Sequence, residues 1–121
     1  MASTLQDRHI MVVEDNLLVA ELLSWELVEV GAFVVGPSPS VESAMAELNC
    51  RAYIDAAILD VNLGADLVFP VADALAKRRI PFIFATGFDD AFIRLHYPKT
   101  PICKKPCEFV VMSSVLLAVL P

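Results

Sequence analysis

The fold of this chain follows from residues 56–63, which read Ala56-Ala57-Ile58-Leu59-Asp60-Val61-Asn62-Leu63. A short apolar run of this kind predicts a strand that is buried on both faces, as in a parallel sheet. The run ends on Asp60, which therefore lies at the carboxyl edge of the predicted sheet, where open α/β folds bind their ligands. Taken alone, such an Asp is better explained as a solvated loop residue. Whether it belongs to a ligand site therefore depends on the other residues of the chain.

Composition limits the class of protein. The chain has 121 residues, enough for one domain with a real core, and 57% of them are hydrophobic, which argues against disorder. The net charge of −6 and the pI of about 4.7 argue against a nucleic-acid or anionic-membrane binder. We see no apolar run of ~18 residues and no signal peptide. With three cysteines and no metal-type spacing, we expect a cytoplasmic protein.

Apolar runs and helical spacing alternate along the chain. Residues 10–13, 32–35, 56–59, 81–85 and 100–104 predict five strands, and residues 16–31, 40–49, 70–79, 89–96 and 108–120 predict five helices. This alternation predicts a parallel sheet with helices on both faces. Gly36-Pro37 is expected to stop the second strand, and Pro101 to mark an edge strand. In the first helix, the predicted core face comprises Val19, Ala20, Leu23, Leu27 and Val30.

Polar side chains follow four of these strands, namely Glu14 with Asp15, Asp60, Thr86, and Lys104 with Lys105. Parallel strands present their carboxyl ends at one edge, so these groups should converge. Clustered carboxylates without His or Cys favour Mg²⁺ over zinc, and a hydroxyl with an ammonium can bind phosphoryl oxygens. The site is thus equipped to move a phosphoryl group onto a carboxylate. Considered individually, these residues have simpler explanations: the acid pair could be there to cap a helix, and the threonine could be an ordinary turn residue.

In their order and spacing, these motifs resemble a response-regulator receiver domain along the whole chain. Phe84-Ala85-Thr86-Gly87-Phe88, with residues 60–63 and Pro70-Val71-Ala72-Asp73, is similar to the subgroup called FAT-GUY receivers. The resemblance implies a flavodoxin-like, doubly wound α/β fold whose five parallel strands have the order 2-1-3-4-5. It also implies that residues 1–121 form a single receiver domain, and we expect no output domain.

The resemblance implies a phosphoacceptor role for Asp60, which would take a phosphoryl group from the phosphohistidine of a histidine kinase or histidine phosphotransfer protein. The protein would thereby catalyse its own phosphorylation and dephosphorylation. Thr86 would hydrogen-bond the phosphoryl group. Lys105 would neutralise it, directed into the site by a Lys105–Pro106 bond that is usually cis in the family.

The resemblance also implies a Mg²⁺ site built from oxygen ligands. Asp15 and Asp60 would bind the ion directly, Glu14 would assist through water, and Asn62 would contribute its backbone carbonyl.

Two positions depart from the receiver pattern. Gly64 stands where many receivers have proline, which should leave the loop after Asp60 freer. Ile102 stands where many receivers carry a Tyr or Phe switch, and its branched side chain has few rotamers. We therefore expect the signal to pass through residues 87–96, mobile without phosphate and ordered when Thr86 and Lys105 engage them.

The function predicted from this resemblance is that of a signalling adaptor, shuttle or phosphate sink in a two-component pathway, and an adaptor would also bind a downstream protein target. The alternative is a pseudo-receiver that binds proteins without phosphotransfer. A phosphatase ranks last, because Asn62 occupies the place of its second Asp. Leu18, Leu22 and Trp25 lie off the predicted core face of the first helix, where we expect the kinase to dock. Burial of these three residues against the last helix is equally compatible with the sequence.

Overall fold

The structure is a computed structural model that describes residues 4–50, 53–87 and 91–121. In chain order its elements are β1 (His9–Val13), α1 (Leu17–Glu29), β2 (Phe33–Ser38), α2 (Val41–Cys50), β3 (Ala56–Asp60), β4 (Asn62–Leu63), β5 (Asp66–Leu67), α3 (Phe69–Lys77), β6 (Phe82–Thr86), α4 (Ala91–His96), β7 (Ile102–Lys104) and α5 (Phe109–Val119). Five strands form one sheet in the order β2-β1-β3-β6-β7, and β4 pairs with β5 in a small hairpin. The pairs within the main sheet are all parallel. The predicted fold, with strand order 2-1-3-4-5 and five helices, is confirmed.

The sheet separates two hydrophobic cores, because successive side chains of a strand point to opposite faces. Along β1, Met11 and Val13 face the core that α2, α3 and α4 cover, whereas Ile10 and Val12 face the core beneath α1 and α5. Every residue of β3 and β6 is buried. The two central strands are therefore covered on both faces, as their continuous apolar runs predict.

The ends of α1 are set by its capping residues. The side chain of Asn16 accepts a hydrogen bond of 3.1 Å from the amide of Val19. At the other end Gly31 has φ +89°, its amide donates to the carbonyl of Val28, and the next amide donates to the carbonyl of Leu27. This is the Schellman arrangement, which requires a left-handed residue and favours glycine.

The core face of α1 is narrower than its sequence predicts. Ala20, Leu23 and Leu27 are buried, but Val19 and Val30 are 39% and 44% exposed, so their assignment to the core is wrong. Val19 lies beside the N-terminal cap at the edge of the buried stripe, and Val30 is the C-cap residue, where the helix ends. Only the central two turns of α1 press on the sheet.

Strand β2 continues past the point where proline was expected to stop it. It extends to Ser38 because Gly36 adopts φ +100° and β2 is an edge strand, where Pro37 interrupts no ladder on its outer side. A β-carbon at Gly36 would lie 2.8 Å from the Ser38 amide nitrogen. The extension has a consequence for the site, since the carbonyl of Ser38 accepts a 3.0 Å hydrogen bond from the amide of Glu14.

The other predicted elements are present with small shifts at their ends. Pro70 lies in the first turn of α3, and β7 is an edge strand, as predicted from Pro101. The predicted start of α4 at Asp89, and Phe88 before it, lie outside the described residues. Among the helices described, none combines the length and apolar character needed to cross a membrane.

An aromatic cluster joins the end of α4 to α3. The ring of Tyr97 stacks on Phe69 at 5.5 Å and meets Phe84 edge-on at 5.3 Å between ring centroids. Its hydroxyl donates a 2.6 Å hydrogen bond to the carboxylate of Asp73. Burial and this bond raise the pKa of Tyr97 to about 12, so the hydroxyl remains a donor at neutral pH.

Removing this hydroxyl should loosen α4. We expect Tyr97→Phe, which keeps the ring, to lower the free energy of unfolding by about 1 kcal/mol and to speed amide exchange over residues 91–96. Hydrogen–deuterium exchange and urea denaturation would measure both effects. Asp73→Ala should reproduce them, and the double variant should lose no more than either single one. Unchanged exchange in α4 would show that the hydrogen bond does not hold the helix.

Candidate functional site

Three acids meet at the carboxyl edge of the main sheet. Glu14 and Asp15 directly follow β1, and Asp60 ends the neighbouring strand β3. Each offers a carboxylate oxygen, and these oxygens lie within 4.8 Å of one another. Glu14 and Asp60 are buried, with 5% and 8% exposure, whereas Asp15 is exposed. The cluster therefore has two acids inside the domain and one at its mouth.

Lys105 reaches this cluster from the segment after β7. Its ammonium nitrogen lies 2.6 Å from Oε1 of Glu14 and 3.3 Å from Oδ2 of Asp60. The backbone amide of Lys105 donates a 2.7 Å hydrogen bond to the carbonyl of Thr86, which ties the lysine to the end of β6. The Lys105–Pro106 peptide bond is cis, as the family resemblance implies.

Thr86 and Asn62 complete the set of predicted site residues. Thr86 is the last residue of β6, directly after Ala85, which pairs with Asp60 across the two strands, and it is 1% exposed. Asn62 is exposed, and its backbone amide lies 3.4 Å from Oδ1 of Asp60, at the long end of the hydrogen-bonding range. All six predicted site residues therefore lie at the carboxyl edge of the main sheet. Asp60 and Thr86 end β3 and β6, and the other four lie in the segments that follow β1, β3 and β7.

The loop after Asp60 differs from the expectation. Rather than being freed by Gly64, residues 62–67 form the hairpin of β4 and β5, and the amide of Gly64 donates a 2.8 Å hydrogen bond to Oδ2 of Asp15. The prediction of a freer loop is wrong, because the glycine amide has a partner. The dipeptide Gly64-Ala65 between Leu63 and Asp66 is itself a hairpin signal, a two-residue loop that begins with glycine.

The charges at the site are only partly balanced. Three carboxylates face one ammonium, which leaves two net negative charges when all four groups are ionised. Burial, followed by a hydrogen bond and charge repulsion from Glu14, raises the pKa of Asp60 to about 7 against the opposing effect of Lys105. Burial tends to lower the pKa of Lys105, but its contacts with Glu14 and Asp60 outweigh that tendency and raise it.

The donor set suits a hard divalent cation. Carboxylate oxygens from three side chains, with no His or Cys among them, match the ligands that Mg²⁺ prefers. A charge of +2 also equals the excess negative charge of the cluster. Glu14, Asp15 and Asp60 are therefore the described residues able to hold such an ion.

An apolar groove lies on α1, the helix that follows the acid pair. Leu18, Leu22 and Trp25 are 77%, 55% and 69% exposed, so they are not buried against α5. With Val28 on the same helix and Pro37 on β2, they line a groove of about 560 Å³. Most of the surface that lines this groove is apolar.

Sequence comparison alone finds little. No model of a known protein family matches the chain. No curated protein matches it either.

Comparison with solved structures is informative. PhyR from Brucella abortus, a response regulator, matches 98% of this chain with a TM-score of 0.84, but at 21% identity it shows the fold alone. The chain spans about half the length of PhyR, 49% of that protein. The HemR receiver domain from Leptospira biflexa matches at 24% identity and a TM-score of 0.82, over 93% of this chain and 94% of its own.

SdrG carries the assignment further. The BeF₃-activated conformation of SdrG from Pseudomonas melonis Fr1 is 39% identical over 99% of this chain and 100% of its own, with a TM-score of 0.77. SdrG from Sphingomonas melonis Fr1 is 38% identical over 98% of this chain and 100% of its own, with a TM-score of 0.76. Identity of this level extends along the whole of both chains, and PhyR and the HemR receiver domain share the fold. The chain therefore belongs to the family of response-regulator receiver domains.

Proposed function

We propose that this receiver accepts a phosphoryl group on Asp60 from the phosphohistidine of a histidine kinase or a histidine phosphotransfer protein. Its role in the pathway is that of an adaptor, a shuttle or a phosphate sink. The observation that carries the proposal is the position of Asp60, a buried carboxylate held 3.3 Å from the Lys105 ammonium with two further acids beside it. SdrG, with 39% identity, has been solved in a BeF₃-activated conformation, which supports the presence of an acceptor site in this chain.

The transfer is a substitution at phosphorus. An oxygen of the Asp60 carboxylate attacks the phosphorus atom, the phosphorus–nitrogen bond of the phosphohistidine breaks, and the imidazole nitrogen keeps the electron pair and takes up a proton. Lys105 remains beside the reacting oxygen, where its ammonium offsets the charge of the arriving phosphoryl group. The Thr86 hydroxyl, at the end of the neighbouring strand, is the hydrogen-bond donor for a phosphoryl oxygen.

Mg²⁺ fits the acid cluster by charge and by donor type. Asp15 and Asp60 are its proposed direct ligands, with Glu14 contributing through water and Asn62 through its backbone carbonyl. When bound, the ion supplies positive charge that neutralises phosphoryl oxygens. The chain itself supplies the rest of the chemistry, since it positions the nucleophile and excludes water from two of the three acids.

Phosphorylation should require Asp60 and depend on Mg²⁺. We expect Asp60→Asn to abolish labelling by acetyl phosphate and by a phosphohistidine kinase, because an amide oxygen is not a competent nucleophile here. Asp15→Asn should raise the Mg²⁺ concentration needed for half-maximal labelling. Intact-protein mass spectrometry would detect the added phosphoryl group.

A matched variant separates this result from a general effect of lost charge. Asp66→Asn makes the same substitution at an exposed acid in β5, outside the cluster, and should label like the natural protein. Undiminished labelling of Asp60→Asn would sink the assignment. A well-folded natural protein that no phosphodonor labels would instead favour the pseudo-receiver.

The raised pKa of Asp60 predicts a pH dependence of stability in EDTA. The folded protein holds a proton on Asp60 up to about pH 7, whereas the unfolded chain releases it near the ordinary value of 3.8. The stabilisation from this proton is complete below pH 3.8 and is lost as the pH rises through about 7. Urea denaturation should therefore show Asp60→Asn gaining about 1–3 kcal/mol relative to the natural protein between pH 5 and pH 8.

The difference between the two proteins isolates Asp60 from other groups that titrate over the same range. A difference that stays constant from pH 5 to pH 8 would contradict the raised pKa. Saturating Mg²⁺ should reduce the change, because bound cation and bound proton compete for the same carboxylate.

We propose the α1 groove as the docking surface for the kinase. Leu18, Leu22 and Trp25 are exposed on the first helix after the acid pair, so a partner seated there lies close to Asp60. Leu18→Asp should slow transfer from the kinase at least ~10-fold, since it places a charge in an apolar contact, while acetyl phosphate should label it normally.

The matched control is Leu95→Asp on α4, on the opposite face of the sheet. Leu95 is 75% exposed against 77% for Leu18, so the two substitutions perturb similar positions. Kinetics of phosphotransfer should separate the variants, with Leu95→Asp near the natural rate. Equal slowing of both variants, or loss with both phosphodonors, would refute docking at the groove.

A further inference from the structure

The hairpin after Asp60 is anchored to the rest of the domain. Its strands pair Asn62 with Leu67 and Leu63 with Asp66, and the amide of Val68 closes it with a 2.9 Å hydrogen bond to the carbonyl of Val61. Leu63 is 4% exposed, so one side of the hairpin is anchored in the core. The closing hydrogen bond and the buried side chain of Leu63 therefore hold the hairpin in position.

Gly64 opens the two-residue loop at this tip and has φ +63°. Hairpin loops of two residues require a positive φ at their first position, which glycine adopts without strain. With this backbone conformation the Gly64 amide donates a 2.8 Å hydrogen bond to Oδ2 of Asp15, a residue 49 positions earlier in the chain. The hairpin thus reaches back to the acid pair after β1.

Asp15 is the acid of the cluster that most needs such a partner. Glu14 is held by Lys105 and by the amide of Asn16, and Asp60 is held by Lys105. Asp15 is exposed, and repulsion from the other two carboxylates favours rotamers that point away into water. A backbone donor fixed by the hairpin opposes that rotation.

We propose that Gly64 is a positioning residue for Asp15: its amide holds this carboxylate toward the cluster and thereby raises the affinity of the site for a divalent cation. The inference rests on the proposed function, in which Asp15 is a metal ligand. The proline that many receivers have at this position has no amide hydrogen and a φ near −65°, so it makes neither the hydrogen bond nor this turn. The glycine therefore gives this chain a contact that those receivers lack.

The test compares Gly64→Pro with Gly64→Asn in Mg²⁺ titrations by calorimetry. Both substitutions strain a backbone at φ +63°, but asparagine keeps the amide and enters the left-handed region more readily than other residues with a side chain, and a β-carbon at Gly64 meets no heavy atom within 4 Å. We expect proline to weaken Mg²⁺ binding about tenfold and asparagine to change it less than about twofold. At saturating Mg²⁺, both variants should be phosphorylated by acetyl phosphate at the natural rate. Proline binding within twofold of the natural protein, or asparagine as weak as proline, would overturn the inference.

A metal-free measurement tests the contact itself. In the Mg²⁺-free protein, Asp15→Ala should shift the Gly64 amide proton upfield and speed its exchange, while the amides of Leu63 and Val68 stay protected. An unchanged Gly64 amide would overturn the inference even if Gly64→Pro failed to fold. Failure of the proposed function would look different, because the natural protein would then bind no Mg²⁺ while the Gly64 amide still responded to Asp15.

Discussion

The ammonium of Lys105, set between the carboxylates of Glu14 and Asp60, is the contact on which the site depends. Both acids are buried, and a buried carboxylate that loses its cationic partner costs the fold several kcal/mol, about 3–5 in other proteins. The lysine reaches them because β7 lies beside β6, and its own amide is bound to the last carbonyl of β6. The strand order that places β7 beside β6 therefore also brings a positive charge to the two buried acids.

Burial contributes most to the raised pKa of Asp60, and the hydrogen bond and charge of Glu14 add to it, because the single ammonium of Lys105 does not outweigh them. The pKa near 7 means that the metal-free domain holds its central carboxylate partly protonated at neutral pH. A divalent cation at the cluster would relieve the same repulsion, and it would displace the proton from Asp60. The two fully buried strands β3 and β6 contribute hydrophobic stabilisation beside this site.

The sequence predicted the sheet well because its signals are local and repeated. Each central strand is a continuous apolar run with a polar end, and parallel pairing then brings those ends together. The errors occur where tertiary context decides. Val19 and Val30 have the right spacing for the core, but the ends of α1 do not touch the sheet. Pro37 does not stop β2, since the strand lies at the edge and Gly36 supplies the backbone conformation.

The contact between Gly64 and Asp15 could not be read from spacing, because it joins two loops far apart in sequence and uses a backbone amide. Glycine in a loop is usually taken as a source of freedom, and the unfolded chain does have that freedom. In the folded protein, the φ that only glycine adopts readily directs the amide to one acceptor. The same residue therefore loosens the unfolded chain and fixes the native loop.

Two side chains from different elements lie next to Phe84, which is two residues before Thr86. Ile102 pairs with Phe84 across β6 and β7 and packs on the core, while Tyr97 brings a ring and a hydroxyl to Phe84 and Asp73 from the end of α4. Because Phe84 lies two residues before Thr86 on the same strand, the Tyr97 ring packs against the strand that carries Thr86. Helix α4 has six residues, too few to be stable without tertiary contacts. Its order therefore depends on the burial of Ile93 and on the packing of the Tyr97 ring against α3 and β6, which joins the helix to the strand that carries Thr86.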